Sequence, residues 1–215
     1  MAGSGFRDRT EAGDALADEL TRRGEAPPGA LVVGLPRGGM VVAARVAERL
    51  GLDLDVLVVR KVGAPGHEEF GIGAVAEHGA LVVDEPSVRG AGVHDDELAD
   101  LVAAERRRVD ERVARYRSSR PAAPLAGRHV IAVDDGFATG VTARAALAAV
   151  AAHKPSRLVL AVPVAPPDAG ERIGDAADAF VAVLVPARFR AVGEFYAHFE
   201  QTTDDEVVEL LAAHR

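Results

Sequence analysis

Two aspartates, two glycines and two threonines fall within the stretch Asp134-Asp135-Gly136-Phe137-Ala138-Thr139-Gly140-Val141-Thr142. The stretch follows an apolar run at 130–133 and precedes a helical pattern from 141. Gly136 and Gly140 reach backbone conformations that a β-carbon forbids, so successive amides can turn inward where the helix begins. Unpaired amides at a helix start, aided by the helix dipole, attract an anion. The hydroxyls of Thr139 and Thr142 add donors. The loop holds no lysine and lacks the GxxxxGK(S/T) pattern, so it is not a nucleoside-triphosphate P-loop. It suits a terminal monophosphate. Asp134 and Asp135, when ionised, only accept hydrogen bonds. They would repel a phosphate but suit the two hydroxyls of a vicinal diol. Phosphate at one end and diol acceptors at the other describe a ribose 5-phosphate. The plainer reading of the same residues is a polar turn that ends a buried strand, with Asp135 as its cap.

A site of this kind needs strands that end side by side. Apolar runs at 30–35, 54–59, 129–133, 158–163 and 180–185 read as strands, and 72–85 as two more around His78-Gly79. Helical patterns cover 40–50, 95–117, 141–152 and a short piece near 167–175. A last helix begins at a capping box, Thr203 and Glu206. Alternating strands and helices predict one α/β domain over 1–215 with a mainly parallel sheet flanked by helices. Ligands of such sheets lie at the carboxyl ends of strands. Three strand ends carry unusual chemistry there: PRGGM (36–40), RKVGAPGHEEFG (60–71) and DDGFATGVT (134–142).

Composition narrows the function. The chain has 215 residues, 48% of them hydrophobic, and no cysteine, which excludes disulfides, thiolate metal sites and a cysteine nucleophile. Net charge is −8, from 25 basic and 33 acidic residues, against a broad nucleic-acid footprint. The arginines of 105–117 interleave with Glu105, Asp110 and Glu111 and read as a solvated helix face. No apolar run reaches the ~18–20 residues of a membrane span. The polar opening MAGSGFRDRT lacks a signal peptide's apolar region, so a cytoplasmic protein without membrane contact is expected.

The acids and glycines of 134–142, preceded by four apolar residues, resemble the phosphoribosyl-pyrophosphate (PRPP) motif of type I phosphoribosyltransferases. PRGGM resembles that family's pyrophosphate loop, and RKVGAPGHEEFGIGAV its mobile catalytic loop. The pattern is most similar to the bacterial "predicted phosphoribosyltransferase" branch, through LPRGG, RK-GAP, DDG-ATG and the terminal F-Q--D-EV. The resemblance covers roughly 28–200. It implies Mg²⁺ as cofactor, PRPP and a nucleobase-like nitrogen heterocycle as substrates, release of pyrophosphate, and a homodimer. It assigns ribose and 5′-phosphate binding to Asp134, Asp135, Gly136, Phe137, Ala138, Thr139, Gly140 and Thr142. Pyrophosphate falls to Arg37, Gly38, Gly39, Arg60 and Lys61. Catalysis falls to Arg37, Lys61, Glu69 and Asp135, and the base to Phe189 and Val192. Mg²⁺ is expected to be held mainly through PRPP, with Asp134 and Asp135 as the protein's candidates. Some relatives sense PRPP or nucleotides rather than catalyse.

The chain departs from that pattern in three places. Ala138 stands where hypoxanthine–guanine members carry an aspartate, which argues against 6-oxopurines. Phe189 is followed by a longer spacer than in purine-type members. Phe195, Tyr196 and Phe199 are alternatives to it, with simple packing expected for at least two of the three. The segment 86–124 is a long helical insertion, read either as packing on the sheet edge or as a dimer arm or hood. A C-terminal hood or tail is expected over 186–215.

Overall fold

Alternate residues of the apolar runs face opposite ways. Val32, Ile131, Val133, Val159 and Ala161 enter one core, while Leu31, Val33, Val130, Ala132, Leu158 and Leu160 enter another. This is the pattern of a sheet covered on both faces. The computed structural model describes residues 5–117 and 121–214, apart from the side chains of Glu68 and Glu69.

The elements run α1 (Arg9–Arg23), β1 (Leu31–Gly34), α2 (Gly38–Leu50), β2 (Asp53–Val56), β3 (Val59–Ala64), β4 (His67–Ala76), β5 (Leu81–Val83), α3 (Glu85–Ala91) and α4 (Asp95–Tyr116). They continue with β6 (His129–Val133), α5 (Val141–Ala151), β7 (Arg157–Val164), α6 (Ala169–Ile173), β8 (Ala179–Leu184) and α7 (Asp204–Ala213). Five strands form a parallel sheet in the order β2-β1-β6-β7-β8, and β3-β4-β5 form a separate antiparallel sheet. The expected α/β architecture is therefore present. The capping box at Thr203 and Glu206 starts α7 with both of its reciprocal hydrogen bonds. Among the described residues no helix is long and apolar enough to cross a membrane.

Three elements differ from the sequence reading. The first is α1, for which no element was expected. Asp8 caps it by accepting from the Glu11 amide at 2.9 Å, and Leu16 and Leu20 bury against the sheet. The second is 60–71, expected as a pliable loop, which is instead the hairpin β3–β4. Its glycines make room: a β-carbon on Gly71 would meet Lys61 Cδ at 2.9 Å, and one on Gly73 would meet the Val82 carbonyl at 2.8 Å. The third is the insertion. Val102 and Val109 of α4 bury in the same core as Val62, Ile72 and Val75, and Leu98 and Leu101 pack against it. The long helix thus lies across the small sheet rather than along the edge of the large one.

The arginines of 105–117 are likewise more than a solvated face. Arg117 donates to Asp55 and Glu77, both at 2.9 Å, and to the Val56 carbonyl at 2.7 Å. Asp55 and Glu77 are buried. Buried carboxylates are expensive unless paired, and Arg117 is the group that pairs them, tying the end of α4 to both sheets.

Candidate functional site

The order of the large sheet brings two strand ends together. β1 pairs in register with β6, Gly34 opposite Val133. β1 connects through α2 to β2 on one side, while β6 lies on its other side. The crevice between their carboxyl ends is a topological switch point, where open α/β sheets bind ligands. PRGG and DDG meet there. A β-carbon on Gly39 would come within 2.7 Å of Asp134 Oδ1, and one on Gly38 would collide with Asp135 Oδ2. Only glycine permits that approach. Arg37 precedes α2 as its N-cap, after a cis Pro36–Arg37 peptide. Its guanidinium lies near enough to Tyr116 and Asp204 to act on their charges, on the α4–α7 side of the crevice.

Each aspartate is held by one oxygen. Asp134 Oδ1 accepts the Asp135 amide at 2.9 Å. Asp135 Oδ2 accepts from Arg9 through Nε and Nη2, both at 2.8 Å. Among the described residues no hydrogen bond engages Asp134 Oδ2 or Asp135 Oδ1. Burial, and then the neighbouring Asp135 charge, push the Asp134 carboxyl well above the ordinary aspartate value of 3.8. Burial also raises Asp135, against the opposing pull of Arg9. Arg9 does more than pair. It donates to the Glu200 carbonyl at 2.8 Å and sits 4.0 Å over the Phe199 ring. Tyr196 donates its hydroxyl to the Asp135 carbonyl at 2.6 Å.

The turn after the acids opens α5. Gly140 caps it with φ +84°, and a β-carbon there would meet the Phe137 ring at 2.5 Å. Among the described residues no backbone hydrogen bond uses the amides of Ala138, Thr139 or Gly140. They are donors at a helix N-terminus, which is an anion cradle. Thr139 is exposed beside them and Thr142 half-buried. Arg172 braces the turn, donating to the Ala138 carbonyl at 3.0 Å. Phe137 departs from the set expected to bind phosphate. Its ring is buried against Phe180, centroids 5.9 Å apart, and its amide donates to the Val164 carbonyl at 2.9 Å. An aromatic ring gains more from burial than from a polar rim, so Phe137 supports the turn from behind.

The phosphoribosyl transferase domain family matches residues 10–181, most of the chain. The chain belongs to that family. A crystal structure of TT1426 from Thermus thermophilus is 47% identical, with a TM-score of 0.80, covering 97% of this chain and 98% of that one. "Putative phosphoribosyl transferase Rv0571c" of Mycobacterium tuberculosis is 45% identical over 98% of this chain and 47% of its own length, so the chain spans about half of that relative. The AQ2163 protein of Aquifex aeolicus, 12% identical with a TM-score of 0.51 over 86% of this chain and 76% of that one, shares the fold.

Seen as a phosphoribosyl transferase, the chain distributes the remaining expected residues over three places. Gly136 lies under Val192, whose Cγ1 would stand 2.5 Å from an added β-carbon. Val192 is therefore at the acid pair. Phe189 is stacked on Phe195, centroids 5.6 Å apart at 13°. Phe195 and Tyr196 are buried, whereas Phe199 is 37% exposed, so two of the three alternative aromatics do pack. Arg60 and Lys61 belong to β3 and line a cleft against α4, and Arg60 pairs with Glu105. Glu69 is in β4, and its side chain lies outside the described residues. Arg9 and Arg172 were not anticipated, nor was the bond from Tyr196, expected only as an alternative aromatic, to the Asp135 carbonyl. For Arg9 the only local signal is Asp8 before a helical pattern, which announces α1 but not the reach of Arg9 across 126 positions.

Among the described residues no three His, Asp or Glu side chains group to hold a metal. Mg²⁺ requires less, because it is commonly bound through one or two carboxylates plus substrate phosphates. Asp134 and Asp135, each with an oxygen outside the hydrogen bonds described above, fit that demand.

Proposed function

We propose that this chain transfers the phosphoribosyl group of PRPP to a nitrogen heterocycle and releases pyrophosphate. The observation that carries the reading is the meeting of PRGG and the acid pair at the switch point, one turn away from the amide cradle of α5. That arrangement provides a diol acceptor between two phosphate-binding ends. Asp134 and Asp135 take the ribose hydroxyls. The amides of 138–140, with Thr139 and Thr142, take the 5′-phosphate. Arg37 and the backbone at Gly38 and Gly39 take the pyrophosphate. As the C1–oxygen bond breaks, both its electrons leave with pyrophosphate, and the acceptor nitrogen forms the new bond to C1. The ring nitrogen's proton passes to solvent or a base. Charge grows on the leaving group, so fixed donors at that end act more strongly on the transition state than on the substrate. Mg²⁺, when bound, neutralises phosphate charge.

Val192 and Phe189 are the proposed walls of the base site. Pyrophosphate release measured with hypoxanthine, guanine, adenine, uracil and orotate tests the whole reading. We expect activity with at least one base, and hypoxanthine and guanine among the poor ones. Ala138 offers no proton acceptor, and a positioned acid or base contributes about 10²–10⁴-fold to such a step. No release with any base removes the proposed transfer to these acceptors. A 6-oxopurine as best substrate refutes the role given to Ala138.

Arg9 follows as a positioning residue for Asp135. Arg9→Met removes the charge that opposes the rise of the Asp135 carboxyl. PRPP affinity at pH 7 should drop by roughly tenfold or more, because Asp135 loses the two charge-assisted hydrogen bonds that orient it. The drop should deepen as the buffer is acidified, because a higher pKa neutralises the acceptor sooner. Arg9→Lys keeps the charge but loses the two-nitrogen grip, and should recover part of the affinity. Binding isotherms across pH 5.5–8 read both effects. A pH-independent loss in Arg9→Met would make Arg9 a packing residue.

A further inference from the structure

The stripe of α4 facing β3 carries Leu101, Ala104, Glu105, Arg108 and Arg112, which is one helix face. Opposite, the pairing of β3 with β4 slips between Val62 and Ala64, a bulge in the wall. The two surfaces frame a cleft of about 490 Å³. Small-molecule sites occupy ~300–1,000 Å³. Among the described residues four cations line it, Arg60, Lys61, Arg108 and Arg112, against one carboxylate, Glu105, while Glu111 and Asp204 border the same three arginines in an adjoining hollow. This excess stands out in a chain whose net charge is −8.

Glu105 is 8% exposed and spends both oxygens, one on Arg60 Nε and the other on Arg108 Nη1. A tie between α4 and β3 would be complete with Arg60 alone. The second arginine makes the carboxylate an orienting post for two guanidiniums. Among the described residues neither Nη of Arg60, nor Nε or Nη2 of Arg108, has a hydrogen-bond partner. Arg112 approaches Asp204 only at 3.9 Å, beyond hydrogen-bond length. Next along the helix, Arg115 is taken up by Asp205 at 2.7 Å and does not line the cleft.

We infer that this cleft binds a ligand through two or more linked phosphates, held by Arg60, Arg108 and Arg112. Guanidinium forks match pairs of phosphate oxygens. Three of them around one cavity match the charge of a diphosphate or longer chain better than that of orthophosphate. The linked phosphates have two possible sources, the pyrophosphate end of PRPP or a separate nucleoside polyphosphate. Neither source requires that the transfer reaction take place.

Titration calorimetry with inorganic tripolyphosphate on the full chain tests it. Wild type should bind, with orthophosphate much weaker. R108Q/R112Q should lose roughly tenfold or more in affinity with an unchanged melting curve, and R108K/R112K should lose less. Equal affinity in wild type and R108Q/R112Q overturns the site, as does no binding to wild type at millimolar tripolyphosphate. Asp134→Asn should leave tripolyphosphate binding intact, so this site and the acid-pair reading can fail separately. Repeating the titration in saturating PRPP separates the sources. Competition assigns the cleft to the leaving-group end of PRPP, and undiminished binding assigns it to a separate polyphosphate.

Discussion

With Asp134 replaced by Asn, Mg²⁺–PRPP should no longer raise the melting temperature. For the wild type, ligand at a hundredfold excess over its dissociation constant adds about 2.7 kcal/mol, or about 5–10 °C for a chain of this size. The substitution is conservative where the structure needs it. Asn keeps the oxygen that accepts the Asp135 amide at 2.9 Å and loses only the charge. The unliganded protein should not suffer. Folding raises the Asp134 carboxyl above its ordinary value, through burial first and the Asp135 charge second. A group raised in this way stabilises the fold fully below its unfolded value, and that contribution disappears as pH rises through the folded value. At neutral pH the wild type has therefore lost at least part of that contribution, whereas Asp134→Asn has no ionisation through which to lose it. Its melting temperature without ligand should equal or exceed that of the wild type at pH 7.5. Well below the ordinary value of 3.8, where the acid is neutral in both states, the two should converge. Thermal scans at three pH values with and without PRPP decide this. A surviving PRPP shift in the variant would place the diol elsewhere.

Arg37→Ala should lower kcat/KM by roughly tenfold to a thousandfold, the range for removing one preorganised donor from a developing charge. The loss should appear in kcat and in pyrophosphate affinity, while ribose 5-phosphate affinity barely moves. That selectivity follows from position. Arg37 stands at the start of α2 and faces the α4–α7 side, whereas the amides of 138–140 stand at the start of α5. Parallel loss of both ligands would mean that the substitution has disturbed the close approach of Gly38 and Gly39 to the acids instead.

The parts legible in the sequence are those whose signal is local. The runs at 129–133 and 158–163 are nearly unbroken in apolar residues because β6 and β7 are covered on both faces, and each of those strands is marked by its own residues. The acid pair and its turn sit within one short stretch, so their place at a strand end and helix start could be read without knowing what lies opposite. The hairpin 60–71 misled because glycine has two uses. It lends pliability in a loop and space in a crowded strand, and Gly71 and Gly73 serve the second. The meeting of the strand ends at 36–40 and 134–142 followed from the expected parallel sheet, but contacts between single side chains far apart in the chain were not legible. Arg9 reaches Asp135, and Arg60 and Arg108 share Glu105, through the path of the chain in space. Charge interleaving along α4 looked like solvation because a helical stripe shows its own neighbours, never the strand it faces.

The grip on Asp135 has a practical side. Arg9 holds its carboxylate, Tyr196 donates to its carbonyl, Phe199 and Glu200 meet Arg9, and Phe6 pairs with Tyr196 beside them. Every one of these residues falls outside 10–181, the segment by which the family is recognised. A chain trimmed to that segment would keep the acid pair, the PRGG turn and the amide cradle. It would also leave Asp135 without its counter-charge and its carbonyl without the tyrosine. Family boundaries drawn from shared sequence would thus cut through this site, and expression of the recognisable segment alone would yield a protein with the PRGG and acid-pair motifs and a weakened hold on its ligand.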